Sequence, residues 1–124
     1  MASISLFLVG YCSISDVRLI SGISADIISD SDIETLIELS DQQIRDDLGD
    51  FSEPAPTRIR HLSALLTAIK IYQRPDMRFR LGASSGLDEQ RIERLLEDWR
   101  REVSRIYAYY GKAVLEGPSV MRRV

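Results

Sequence analysis

Between Asp88 and Tyr110 the chain reads DEQRIERLLEDWRREVSRIYAYY. Its apolar residues recur every three or four positions, at Ile92, Leu95, Leu96, Trp99, Val103, Ile106 and Tyr110. That spacing gathers them on one side of an α-helix and leaves arginine, glutamate and aspartate on the other. Period-two alternation would scatter the same residues over both faces of a strand. A helix of this length runs roughly 35 Å at about 1.5 Å per residue. In a chain of 124 residues the shorter elements must pack along it. Those residues are enough for one domain with a modest core and too few for two ordinary ones.

Three shorter helices precede it. Ser13 with Asp16 forms a capping-box-like start, and Val17, Leu19 and Ile20 follow before Gly22 stops a helix of about two turns. A connector carries the apolar anchors Ile23, Ile27 and Ile28. The next helix is expected to open with Ser31 and Glu34 as capping box, with Asp30 and Asp32 at the positive end of its dipole. Its stripe is Ile33, Leu36, Ile37, Ser40, Ile44 and Leu48, and Gly49 suits its end. The small Ser40 in that stripe points to a close crossing with another helix. After Pro54 and Pro56 a third helix, capped by Thr57, runs to about Gln73. Its face of Ile59, Leu62, Leu65, Leu66, Ile69 and Tyr72 is widened by Ala64, Ala68 and Ile71, the mark of a central helix touched from several sides.

The remaining segments are less regular. MASISLFLVG has strand-like character at Ile4, Leu6 and Leu8. Met77, Phe79 and Leu81 alternate with Arg78 and Arg80, a hairpin-like arm that GASSG breaks. A tail, GKAVLEGPSVMRRV, follows the long helix, with Val114 and Leu115 as anchors and Arg122 and Arg123 near its end. The expected fold is therefore all-α: a small bundle of about four helices with one long C-terminal helix, a short arm and extended termini. Residues 1–110 form the domain and 111–124 the tail.

Composition narrows the function classes. With 44% hydrophobic and 28% charged residues the chain reads as a globular protein. No stretch is long enough to span a bilayer and no secretory leader is expected. A single cysteine, Cys12, excludes an internal disulfide and suits a reducing interior. The net charge of −3 hides a division. Residues 1–56 hold eleven acids and two bases, giving −9, whereas residues 57–124 hold eight acids and fourteen bases, giving +6. Opposite halves of this kind permit contact between neighbouring copies, or an acidic surface that repels nucleic acid. Two separately solvated faces are the plainer reading.

No motif carries catalysis. Gly82-Ala83-Ser84-Ser85-Gly86 matches the nucleophile-elbow pattern, but the only histidine, His61, precedes the serine and no parallel sheet is expected. The same residues lack the lysine of a phosphate loop; a flexible turn, or anion capture at the helix that follows, remains. Asp30, Asp32 and Glu34 have calcium-loop spacing, yet Thr35 stands where the loop needs glycine, and helix capping accounts for them better. His61, without a second histidine or cysteine nearby, reads as a surface or half-buried side chain. Trp99 is read either as core or as a subunit contact. Tyr107, Tyr109 and Tyr110 cover more than one face of the last helix, which leaves some for a partner. Arg91, Arg94, Arg101 and Arg105 are interleaved with Glu93, Glu97, Asp98 and Glu102, many as i,i+3 or i,i+4 pairs. A nucleic-acid helix would carry bases without matching acids.

The succession SDVRLISG, DSDIETLIELSDQQIRDDLG, IRHLSALLTAIKIYQ, an FRLG arm and RIERLLEDWRREVSRI resembles the head–tail connector (adaptor) proteins of tailed phages and related viruses. The resemblance covers about residues 11–110 and rests on element order and hydrophobic pattern. It implies a structural virion protein without catalytic residues or cofactors. It also implies a helical subunit that forms a ring, commonly a dodecamer, between portal and tail. Partners would be its own copies, the portal protein and further neck or tail proteins, with DNA as a passing, non-specific cargo and no membrane. Assembly would take place in the host cytoplasm. On this reading Met77, Phe79, Leu81, Trp99, Arg100, Arg101, Tyr107 and Tyr109 face the neighbouring subunit. Val114, Leu115, Val120, Met121, Arg122 and Arg123 then belong to a tail that docks on the portal. The underlying expectation is that apolar surface on the last helix exceeds what one small bundle can cover. The alternative is a monomeric helical protein–protein interaction domain, since DIETLIELSDQQIRDDLG is similar to helices of sterile-alpha-motif modules.

Overall fold

The structure, a computed structural model, describes residues 10–52, 54–76 and 89–111. Four helices account for most of them: α1 (Ile14–Ser21), α2 (Asp30–Leu48), α3 (Thr57–Gln73) and α4 (Glu89–Tyr109). The fold is an all-α small bundle, as the periodicity implies. The N-terminal segment 1–9, residues 77–87 of the arm expected at 76–87, Asp88 and the tail from 112 onward lie outside the described residues. So do Met77, Phe79, Leu81, Val114, Leu115, Val120, Met121, Arg122 and Arg123.

Helix α1 begins where the sequence places it. Ser13 Oγ accepts from Asp16 N and Asp16 Oδ2 accepts from Ser13 N, a reciprocal capping box. Gly22 ends the helix at φ 73°, a left-handed conformation that glycine adopts without a Cβ penalty. Arg18 then pins the connector. Its guanidinium donates to the carbonyls of Ile23 and Ile28 at 3.2 and 3.0 Å and pairs with Asp30 at 2.6 Å. Two connector carbonyls thereby gain a charged donor while Ile23 and Ile28 sink into the core.

Two caps differ from the expectation. Helix α2 is capped by Ser29, whose Oγ accepts from Asp32 N, and not by Ser31 with Glu34. Burial of Ile28 leaves Ser29 as the last extended residue, so the helix starts two residues early. In α3, Thr57 is the first helical residue rather than the cap. Pro56 precedes it with extended backbone (φ −57°, ψ 151°), and its carbonyl accepts the Ile59 and Arg60 N–H groups, leaving no side-chain cap.

Helix α3 is the centre, packed against α1, α2 and α4. Eleven of its seventeen residues are buried, which is why its apolar face is so broad. It crosses α2 where Thr67 Oγ1 donates to Ser40 Oγ at 2.9 Å, both side chains fully buried. Ser40 is thus the close-crossing residue its place in the stripe suggests. At the far end of α3, Tyr72 Oη donates to the Ser21 carbonyl at 2.9 Å and the Tyr72 ring meets Trp99 edge-on at 5.1 Å.

The expectation of excess apolar surface on α4 does not hold. Ile92, Leu96, Trp99, Ile106 and Tyr107 are all at most 8% exposed, and Leu95, Val103 and Tyr110 are half-buried against the same core. The broad face of α3 supplies the cover. Trp99 and Tyr107, assigned from sequence to a neighbouring subunit, are core residues of their own chain.

Candidate interaction surface

Beneath the surface lies a buried polar node that ties the start of the described chain to the bundle. Asp41, on α2, is 3% exposed. Its Oδ2 accepts from Tyr11 N at 2.8 Å and its Oδ1 from Ser63 Oγ at 2.6 Å. A Cβ on Gly10 would stand 2.0 Å from Asp41 Oδ2, so the chain passes the carboxylate only because that residue is glycine. Cys12 Sγ lies 3.3 Å from Ser63 Oγ. Burial pushes the Cys12 thiol up to about 12, against the Ser63 hydroxyl and with help from the Asp41 charge. A thiol so far from its thiolate is a packing group rather than a nucleophile. Sequence reading missed Asp41 because its partners come from segments 30 and 22 positions away; an aspartate beside the serine in a buried stripe is the one trace it leaves.

An aromatic chain continues outward from this node. Tyr11 packs edge-on to Phe51 at 6.1 Å, Phe51 to Tyr110 at 5.6 Å, and Tyr110 to Tyr109 at 5.0 Å. Arg45 lies over Tyr11 at 5.7 Å and Arg58 over Tyr109 at 3.7 Å, so a cation closes each end. Tyr11 and Tyr110 share Phe51, and the two ends of the described chain therefore lie close together. Tyr107 Oη donates to Asp47 Oδ2 at 2.5 Å, fastening the end of α4 to the end of α2. Burial and that acceptor together hold the Tyr107 phenol well above its ordinary range.

Beside Tyr109 a cleft of about 320 Å³ opens between the start of α3 and the end of α4. Ile106 lies at its base, and Arg58, His61 and Arg105 stand around it with Glu102 and Tyr109. Arg105 pairs with Glu102. Among the described residues no carboxylate pairs with Arg58, whose face is taken by Tyr109. His61 is exposed, in agreement with its reading as a surface histidine.

The outer side of α4 is built as the sequence suggests. Arg101 pairs with Asp98 at 3.2 Å and lies 3.9 Å from Glu97. Such exposed pairs contribute about 0.3–0.5 kcal/mol each at most, so their role is to set a charged surface more than to hold the helix. Arg100, Arg101 and Tyr109 are the sequence-assigned interface residues that the structure leaves exposed. On the opposite flank, the outer face of α2 carries Leu39, 54% exposed, among the exposed acids Asp32, Glu38 and Asp46. Asp30 and Asp32 sit in the first turn of that helix, where its dipole favours them. Among the described residues no group of histidine, cysteine and acids could hold a metal, and no helix is long and apolar enough to cross a membrane. Compared with known protein families, with curated proteins and with solved structures, the chain finds no match.

Proposed function

We propose that the protein is a head–tail connector subunit of a tailed virus, a structural virion protein that assembles as a ring between portal and tail. The observation that carries this reading is the order and length of the elements. A two-turn capped helix, a helix of 19 residues, a central helix of 17 and an outer helix of 21 follow one another, and this order supports the reading. With the apolar stripe of α4 closed by its own chain, copies meet through charged surface, and Arg100 and Arg101 are placed for it. The ring passes DNA without reading it, because acids interleaved with bases suit sliding over phosphate better than gripping it. No cofactor and no catalytic step belong to this function.

Microscopy of the protein mixed with its portal tests the reading directly: rings are expected on the portal, and their absence overturns it. Arg100→Glu with Arg101→Glu should weaken ring formation without lowering the melting temperature. Rings indistinguishable from those of the unaltered protein would remove Arg100 and Arg101 from the interface. The covered stripe of α4 favours a second reading, a monomeric helical interaction domain. Light scattering across concentration, with and without portal, distinguishes the two, since that domain keeps the mass of one chain throughout.

A further inference from the structure

The cleft between α3 and α4 has one guanidinium, Arg58, beyond its Arg105–Glu102 pair, while the outer face of α2 is acidic. Around the cleft stand Arg58, His61 and the paired Arg105 and Glu102, with Ile106 and Tyr109 as its apolar part. The α2 face offers Leu39 flanked by Glu38 and Asp46, Asp46 lying two helical turns further on. That face points away from α3, because Ile33, Ile37, Ser40 and Ile44 are the residues α2 buries. One chain therefore cannot bring the two surfaces together on itself. We propose that the cleft of one copy receives the Leu39 face of α2 from a second copy, in a head-to-tail contact.

This inference rests on the connector reading and names the surfaces through which its copies meet. Leu39 is among the most exposed large apolar residues described, and the apolar part of the cleft gives it cover. Glu38 and Asp46 meet the guanidinium of Arg58 and compete with Glu102 for that of Arg105, and bidentate pairing favours arginine over lysine for such a contact. The segregation of −9 and +6 between the two halves of the chain has the sign needed to orient copies in one direction. Because the two surfaces differ, the contact is heterologous, and each copy keeps one free cleft and one free acidic face. The contact propagates until a ring closes or a filament continues.

Two variants test it. One is Arg58→Glu with Arg105→Glu, which spoils the cleft; the other is Leu39→Arg with Asp46→Arg, which spoils the α2 face. All four side chains are exposed, and unchanged melting curves keep loss of fold out of the comparison. By light scattering, the unaltered protein should grow in mass with concentration. Each variant alone should stay at the 14.1 kDa of one chain. An equimolar mixture should reach twice that mass and go no further, since each variant retains one working surface of the pair. The mixed dimer should weaken roughly tenfold or more on moving from low to high salt, as screening of exposed charges requires. Unaltered protein that assembles while both variants assemble equally well overturns this contact and leaves the connector reading standing. A mixture that stays at monomer mass overturns it too. So does a poly-glutamate peptide that fills the cleft as tightly as the α2 face does, since the occupant is then any acidic chain. Unaltered protein that remains a monomer alone but forms rings on its portal also removes this contact in solution without touching the connector reading.

Discussion

Asp41 shows how one carboxylate is made indispensable by what surrounds it. It is buried, with Tyr11 N and Ser63 Oγ as donors and the backbone of Gly10 against its oxygen. Asp41→Ala strands both donors, and an unsatisfied buried donor costs about 1–3 kcal/mol. Gly10→Ala drives a methyl into the carboxylate and should destabilise by a comparable amount, and the double variant should cost less than the two singles together. Urea denaturation of the three proteins measures this, and strict additivity would mean that the contact is not shared. Asp16 titrates within reach of experiment. Burial alone would raise its carboxyl, but the Arg60 hydrogen bond at 2.8 Å, the Ser13 N–H and the Arg60 charge outweigh that and hold it below its ordinary value of 3.8. A carboxyl depressed by folding stabilises the protein above its unfolded value, and that stabilisation is lost as pH falls through the folded value. Unfolding midpoints recorded downward from neutral pH should therefore fall in the acid range, and Asp16→Asn should flatten that fall.

At the scale of the element, helical periodicity was enough to place all four helices, because burying one stripe is what a helix in a small bundle must do. The last helix ends at Tyr109 against an expected Tyr110, and its expected first residue, Asp88, lies outside the described residues. Caps were less legible. Ser29 and Ser31 are equally good residues for the role, and the choice between them depends on Ile28 being pulled into the core from outside the helix. Trp99 illustrates the same limit, since its spacing puts it on the apolar stripe but cannot say whose core covers that stripe. Tyr72 does. Trp99→Ala should accordingly cost about 3–5 kcal/mol, the usual range for emptying a large aromatic site. Thermal denaturation would show this in the isolated chain, where loss of a mere subunit contact would leave the midpoint unchanged.

Across the whole molecule, the acidic surplus legible in the first half of the sequence stands on the outer face of α2, whereas the cleft was not legible at all. Arg58 and His61 come from the start of α3 and Arg105, Ile106 and Tyr109 from the end of α4, and only the return of α4 along α3 brings them together. The aromatic chain through Phe51 was hidden for the same reason, being assembled from three segments that are remote in sequence. Its geometry has a practical side. Gly10 and Gly111, the first and last described residues, stand at the same pole as Tyr109 and the mouth of the groove it borders. A bulky group attached at Gly111 would crowd that groove. A label on the exposed turn at Ser24–Asp26, beyond the other end of α1, would leave that pole clear.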